Sequence, residues 1–277
     1  MVNQDSRDLS KITVVGLGNM GGSLVNGLLK SKALSQLSLQ IFDLHDSHAE
    51  KFSKVENCRI LGSLGELKNY KGVLLLCVKP HDLEGLAFTL KGKINESSLI
   101  LSILAGVTLN EVEETLDFKG AVVRAMPNIA ATIGEAATAM SVNSVCNENH
   151  KRLAESIFQA VGEAFWVKES LMDTVTGLSG SGPAYIYMVI EALTDGGVKM
   201  GLPRALARNL ATQTVLGAAA LVKETGEHPA ILKDQVTTPA GTTISALHEL
   251  EERGLRSMFV SAVEIATNKS KNLGNVK

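Results

Sequence analysis

Three glycines with the spacing G-x-G-x-x-G, namely Gly16, Gly18 and Gly21, stand near the start of the chain. They follow a short apolar segment and precede leucines at helical spacing, which is the context that phosphate binding requires. In that context Gly16 permits a tight turn, Gly18 lets a pyrophosphate approach the backbone, and Gly21 lets a helix pack closely on a strand. The pattern favours a dinucleotide site, although a strand–helix turn without a ligand would also show it.

Asp43 follows the second apolar segment of the chain. A carboxylate at that point commonly accepts hydrogen bonds from the ribose hydroxyls of NAD, and it would repel the 2′-phosphate of NADP. No lysine or arginine follows before Lys51. We therefore expect NADH to be accepted; the alternative is that Asp43 only caps the next turn.

Lys79 and Pro80 follow a third apolar segment, VLLLCV at 73–78. Two more apolar segments, 99–104 and 121–124, also end near glycine or proline. Ligands of open α/β sheets bind outside the carboxyl ends of the strands, so these ends fit a cofactor that runs across them. Lys79 is either a cation near the ring end of that cofactor or an ordinary surface lysine.

Small and hydroxyl-bearing residues are concentrated in two later segments, TGLSGSGPA at 176–184 and QVTTPAGTTIS at 235–245. Each runs directly into an apolar helical pattern, so neither resembles a flexible linker. The turn at 239–243 would point backbone N–H groups and hydroxyls at one spot, which suits a small carboxylate. Each threonine taken alone could equally be a plain helix N-cap.

The composition disfavours several other kinds of protein. The 277 residues are 45% hydrophobic and 20% charged, which suits a chain of about two packed domains. A formal net charge of −2 disfavours an electrostatic nucleic-acid binder. The three cysteines are far apart and no apolar run is long enough to span a membrane, so we expect a soluble, cytoplasmic protein.

Conventional catalytic groups are scarce in this sequence. The six histidines show no metal-ligand spacing, and no G-x-S-x-G motif is present. We therefore expect neither a metal site nor a nucleophilic serine.

Strand-like and helix-like segments alternate in the first half of the chain. Strands are predicted at 12–15, 39–42, 73–78, 99–104 and 121–124. This alternation indicates an α/β fold with a Rossmann-type, doubly wound parallel sheet. After a predicted edge strand at 164–167 no convincing strand follows, so we expect an all-helical dimerisation domain. The predicted domains are 1–168 for dinucleotide binding and 169–277 for substrate binding and dimerisation.

Taken together, these segments resemble the pyrroline-5-carboxylate reductases over nearly the whole chain. The most specific motifs are TGLSGSGPAYIY at 176–187, DGGVKMGLPR at 195–204 and TPAGTTISALHELEERGLR at 238–256. GLGNMG, VKPH, AGVT and MPN in the first half are weaker markers. Dehydrogenases of β-hydroxyacids share the domain plan but not the motifs of the second half.

The resemblance implies reduction of the C=N bond of 1-pyrroline-5-carboxylate to L-proline, with NADPH or NADH as the cofactor. It implies a homodimer with interleaved helical domains, which commonly assembles further into a decamer. The active site would lie between the cofactor of one chain and the helical domain of its neighbour. No nucleic-acid or membrane partner is expected.

The resemblance also assigns residues to the site. The pyrophosphate would be held by Val15, Gly16, Leu17, Gly18, Asn19 and Met20. The nicotinamide end would be lined by Cys77, Val78, Lys79, Pro80, Ile103, Leu104 and Ala105, with Gln235 where some relatives have asparagine. The substrate would be bound by Glu169, Thr238, Gly241, Thr242 and Thr243. Asp43 departs from the small polar residues that several relatives have at the 2′-phosphate site.

Thr243 and Lys79 are the catalytic candidates. Thr243 would hydrogen-bond the ring nitrogen of the substrate, either donating a proton or orienting the ring, and Lys79 would tune the field near the nicotinamide.

Two other classes of protein stay open: a two-domain dehydrogenase of a hydroxy or keto acid, and a dinucleotide-sensing dimer without catalysis. The former commonly uses a lysine in the first helix of the second domain, where none occurs before Lys199. The latter would not need the turn at 238–243.

Overall fold

The structure is a computed structural model that describes residues 9–273. The chain packs into two compact units: the described residues up to Gly180 together with those from Ala266 onward, and Ser181–Ile265. A hydrogen bond of 2.7 Å from Ser270 Oγ to Asp173 Oδ1 joins the last helix to the segment after residue 168. The compact units thus divide after Gly180, whereas the predicted boundary between the dinucleotide-binding and substrate-binding domains lies at 168/169. That division by function stays a prediction.

An eight-stranded sheet forms the centre of the first unit. Its strands are β1 (Lys11–Val15), β2 (Ser38–Phe42), β3 (Cys58–Ile60), β4 (Val73–Leu76), β5 (Leu99–Ser102), β6 (Ala121–Met126), β7 (Ala136–Val142) and β8 (Gly162–Trp166). Their order across the sheet is β3-β2-β1-β4-β5-β6-β7-β8. The chain therefore winds outward in both directions from β1 and β4, and ligands of such sheets bind at the carboxyl ends of that central pair.

The far edge of the sheet departs from the predicted parallel arrangement. β6 and β7 pair antiparallel, and β8 pairs parallel with β7, so the last two strands run against the first six. The connection from β6 to β7 holds only the 3-10 turn Ile129–Ile133. Because a parallel crossover needs about a dozen residues or more, this short connection returns the chain in the opposite direction.

Helices cover the sheet of the first unit. They are α1 (Asn19–Lys30), α2 (Asp46–Ala49), α3 (Leu83–Leu90), α4 (Leu109–Leu116), α5 (Glu148–Gln159) and α6 (Met172–Val175). Shorter turns of 3-10 type occupy Lys32–Leu34, Glu50–Phe52, Leu64–Glu66, Pro80–Asp82, Ile129–Ile133 and Glu169–Leu171, and Thr176–Gly180 is a π-helical turn. α1 and α5 contribute to one hydrophobic core and α3 and α4 to another. Both β4 and β5 are buried along their whole length, as their continuous apolar sequences predict.

The second unit contains only helices. They are α7 (Gly182–Lys199), α8 (Arg204–Thr225), α9 (Pro229–Gln235), α10 (Thr242–Glu252) and α11 (Leu255–Leu273), the last of which ends in the first unit. α7 and α8 pack closely at Gly197, where a Cβ would lie 3.1 Å from the Cβ of Ala207. Large apolar side chains such as Met188 and Val260 are mostly exposed, and apolar surfaces of this kind mark interaction faces. None of the helices in the described part of the chain is long and apolar enough to cross a membrane.

Candidate active site

The three glycines of the loop between β1 and α1 differ in what surrounds them. Gly16 has a φ of +93°, and a Cβ there would lie 2.8 Å from the carbonyl carbon of Cys77. A Cβ on Gly21 would overlap the carbonyl oxygen of Gly16. A Cβ on Gly18, by contrast, would meet no described atom within 4 Å. Packing within the chain therefore requires Gly16 and Gly21, whereas Gly18 faces open space.

The N-terminus of α1 adjoins that open space. Gly18 is the N-cap residue, and no side chain caps the helix. The first N–H groups of a helix have no partner within it, and they carry the positive end of the helix dipole. An open backbone surface beside such a helix end fits the pyrophosphate of a dinucleotide.

A cavity of about 900 Å³ lies at the carboxyl ends of β1, β2 and β4. Seven of the predicted cofactor residues line it: Val15, Gly16, Gly18, Asp43, Cys77, Val78 and Lys79. The sequence did not single out several other lining residues, among them Leu44, His45, His48, Leu64, His81 and Leu86. A cavity of this size is ample for part of a dinucleotide.

The other predicted cofactor residues do not line this cavity. Leu17 and Leu104 are buried among core residues, and Asn19 and Met20 form the first turn of α1. Pro80 begins a 3-10 turn next to Lys79, Ile103 and Ala105 are half-buried after β5, and Gln235 ends α9 in the second unit. Their contacts with a cofactor stay predictions.

Three groups of the chain surround the carboxylate of Asp43. Its Oδ2 accepts the N–H of Leu17 at 2.5 Å, and its Oδ1 accepts the N–H of His45 at 2.8 Å. The Nδ1 atom of His48 lies 3.3 Å from Oδ1. Burial raises the pKa of Asp43, but the two backbone donors and His48 outweigh burial and hold the pKa below its usual value. The carboxylate is therefore ionised at neutral pH, and it ties the glycine loop to the end of β2.

Cys77 and Lys79 bring different chemistry to the cavity. Burial raises the pKa of the Cys77 thiol far above its usual range, so this residue offers no thiolate nucleophile. Lys79 is exposed and precedes the 3-10 turn Pro80–Asp82. Within residues 9–273, no three side chains of His, Cys, Asp or Glu are grouped closely enough to hold a metal ion.

The predicted substrate turn forms the N-terminus of α10 in the second unit. The N–H of Gly241 donates to the carbonyl oxygen of Thr238 at 3.0 Å, and α10 begins at the next residue, Thr242. Among the described residues no side-chain cap hydrogen bond is made at this helix start, which suits the binding of an anion by its first N–H groups. Thr238, Gly241, Thr242 and Thr243 are thus brought together. Ala240 has a φ of +58°, which residues with a Cβ seldom adopt.

Glu169 makes contacts within the first unit that the sequence did not predict. Its Oε1 accepts the N–H of Leu109, the first residue of α4, at 2.6 Å. The same oxygen lies 3.3 Å from Nη1 of Arg124, whose side chain is only 6% exposed. The sequence does contain a signal for such a contact, namely an arginine within the apolar strand AVVRAM. A charge buried in a strand needs a partner of opposite charge. Contact of Glu169 with the substrate stays a prediction.

Comparison with known proteins decides the family. The model "Pyrroline-5-carboxylate reductase dimerisation" matches residues 169–273, and "NADP oxidoreductase coenzyme F420-dependent" matches 11–106. The pyrroline-5-carboxylate reductase of Methanosarcina acetivorans is 44% identical, covering 95% of this chain and 98% of the relative. That of Synechocystis is 42% identical with the same coverage. The chain belongs to the pyrroline-5-carboxylate reductases.

Solved structures agree with this membership. The pyrroline carboxylate reductase of Plasmodium falciparum, with NADP bound, is 31% identical and has a TM-score of 0.83, covering 95% of this chain and 98% of its own. The structure from Coxiella burnetii is 34% identical with a TM-score of 0.85, covering 95% and 97%. The predicted family, fold class and use of an NAD(P) cofactor are confirmed. The prephenate dehydrogenase of A. aeolicus, at 14% identity and a TM-score of 0.51, shares only the fold of this reductase.

Proposed function

We propose that this reductase transfers a hydride from NADPH or NADH to the C=N bond of 1-pyrroline-5-carboxylate and releases L-proline. The observation that carries the proposal is that two helices without a side-chain N-cap each begin at a turn suited to an anion. One is α1 at the cofactor cavity, and the other is α10 at the threonine-rich turn. Both lie within segments that match models of reductases.

The proposed reaction requires little acid–base catalysis by the protein. A hydride adds to the imine carbon, a proton resides on the nitrogen, and no covalent intermediate with the chain is needed. When bound, NAD(P)H supplies the hydride and is oxidised. The residues of the chain hold the two reactants together and exclude water, and such positioning contributes about 7–11 kcal/mol to well-oriented reactions.

Different groups of the chain bind the substrate and the cofactor. The N–H groups at the start of α10, together with Thr238, bind the carboxylate of the substrate. The Thr243 hydroxyl hydrogen-bonds the ring nitrogen, and Lys79, exposed at the cavity, adds positive charge near the hydride donor. Asp43 accepts the ribose hydroxyls and repels a 2′-phosphate, so NADH is favoured over NADPH.

The active protein is an assembly of identical subunits. The helical domains of two protomers interleave, and the turn at 238–243 of one protomer serves the cofactor of the other. These dimers assemble into a decamer in the cytoplasm, with no nucleic-acid or membrane partner. Support comes from the dimerisation model over residues 169–273, from the exposed apolar side chains of α7 to α11, and from the net charge of −2.

Substitution of Thr243 tests the catalytic assignment. Thr243→Ala removes the hydroxyl at the ring nitrogen while leaving the backbone of α10 in place, so kcat should fall about 100-fold, as for loss of a positioned proton donor. The affinity for NADH, measured by fluorescence titration, should be retained. Thr237→Ala is the control, because the Thr237 hydroxyl donates to Lys233 O of α9 at 2.8 Å. Unchanged kcat/KM in Thr243→Ala would remove this residue from the mechanism.

A further inference from the structure

The two histidines near Asp43 have no place in the proposed reaction. His48 lies on α2, and its Nδ1 atom is buried 3.3 Å from Oδ1 of Asp43 without a well-directed hydrogen bond to any described group. The ring of His45 stands edge-to-face against that of His48, with 5.5 Å between their centroids. Both rings line the cofactor cavity together with Asp43. A side chain that changes charge at physiological pH therefore adjoins the carboxylate that faces the ribose.

We propose that His48 makes the choice between NADH and NADPH depend on pH. When His48 is neutral, Asp43 presents an uncompensated negative charge that repels a 2′-phosphate. When His48 is protonated, its positive charge offsets that of Asp43, and a 2′-phosphate is admitted. This inference rests on the proposed role of Asp43 at the ribose, and it adds a second residue that determines cofactor specificity.

Of the charged groups that line the cavity, His48 is the one within ion-pair distance of Asp43. Asp43 is held ionised by the N–H groups of Leu17 and His45, so it keeps its charge over the pH range in which histidines change charge. The other charged side chains that line the cavity are Lys79 and the pair His81–Asp82, whose Nε2 and Oδ1 atoms are 3.6 Å apart.

The neighbours on the chain do not compete for His48. Asp46 at the start of α2 and Glu50 just after it are exposed to solvent, where their charges are screened. His45 adds a second positive charge when protonated, and it acts in the same direction as His48. The net effect of acid is therefore to make the ribose end of the cavity less negative.

Calorimetric titration with NAD⁺ and NADP⁺ tests the proposal, because both oxidised cofactors are stable in acid and neither requires turnover. The measured quantity is the ratio of the two dissociation constants, from about pH 5.5 to 8.5, a range that covers the titration of histidine. The 2′-phosphate itself changes charge near about pH 6, so the pH trend of the wild type alone does not test the role of His48.

The decisive comparison is with His48→Gln, which keeps a polar side chain but cannot take up the proton. His81→Gln is the matched control, because His81 also lines the cavity but lies beside Asp82.

On acidification, the affinity for NADP⁺ relative to that for NAD⁺ should rise in the wild type and in His81→Gln. In His48→Gln this rise should be about tenfold smaller. An equal rise in all three proteins would overturn the proposal, because the phosphate alone would then account for it. The role of Asp43 is judged separately, from the wild type at the highest pH. Tighter binding of NADP⁺ than NAD⁺ there would refute the NADH preference, whatever the pH trend.

Discussion

Glycines of one loop serve different purposes in this reductase. Gly16 and Gly21 lie so close to neighbouring backbone that a Cβ cannot be accommodated without displacement, whereas nothing in the described chain occupies the space in front of Gly18. We therefore predict that the pyrophosphate of the cofactor passes close to Gly18. These surroundings agree with the separate roles that the spacing of the three glycines predicts.

Gly18→Ala should weaken cofactor binding while sparing the fold. The added methyl group would occupy the space of the pyrophosphate, so the dissociation constant for NADH should rise at least about tenfold, or about 1.4 kcal/mol. The melting temperature should stay nearly constant, because no described atom lies within 4 Å of the new Cβ.

Gly22→Ala is the matched control for this substitution. Its Cβ would lie 3.5 Å from Leu17 O, an ordinary contact, and it sits in the same helix. Fluorescence titration and thermal unfolding of both variants provide the measurements. If Gly18→Ala binds NADH as tightly as Gly22→Ala, the pyrophosphate does not pass this glycine.

A partly buried ion pair links β6, α4 and the segment that follows β8. Arg124 of β6 and the N–H of Leu109 at the start of α4 share one oxygen of Glu169. The carboxylate also lies at the N-terminus of α4, where negative charge is favourable. The carboxylate of Glu169 therefore has a structural role within the first unit that does not involve a substrate.

Glu169→Ala should therefore reduce stability more than it affects catalysis. Loss of the carboxylate leaves the buried Arg124 and an N–H group without this partner, which should lower the free energy of unfolding by about 1–3 kcal/mol. Glu169→Gln keeps an acceptor for Leu109 N–H and should recover part of that loss. Chemical denaturation and steady-state kinetics of both variants check this. A large rise in KM for the imine with unchanged stability would instead assign Glu169 to the substrate.

The strands and helices show which parts of the fold the sequence could predict. The strands β4 and β5 were recognisable because strands buried on both faces have continuous apolar sequences. The shorter apolar runs of β1, β2 and β6, each interrupted by a polar residue, also predicted strands. The three-residue β3 was not, since two of its residues are exposed and it has no clear pattern. The reversed direction of β7 depends on a short connection, and strand propensity carries no information about direction. Likewise, the contacts of Asp43 with His48 and of Glu169 with Arg124 join side chains whose pairing no local pattern specifies.

Each chain has both the predicted cofactor cavity and the predicted substrate turn, and the proposed active site combines the cavity of one protomer with the turn of another. This arrangement gives mixed dimers a distinctive behaviour. In a dimer of one Gly18→Val chain and one Thr243→Ala chain, one site would carry both defects and the other neither. If each site belonged to a single chain, both sites of that dimer would be defective.

Co-expression of the two variants should restore activity that neither has alone. Random pairing makes half of the dimers mixed, with one intact site each, so activity should reach about a quarter of the wild-type value for a two-fold symmetric assembly. Differently tagged chains allow the mixed dimers to be purified and assayed. Activity no higher than that of the separate variants would place each site within one protomer.

The most direct measurement is oxidation of the reduced cofactor by the purified reductase with and without 1-pyrroline-5-carboxylate, followed by its absorbance and by analysis of the product. We expect oxidation that depends on the imine, formation of L-proline, and a higher kcat/KM with NADH than with NADPH above about pH 8. Absence of turnover with either cofactor, in protein shown to be folded, would contradict the proposed reaction.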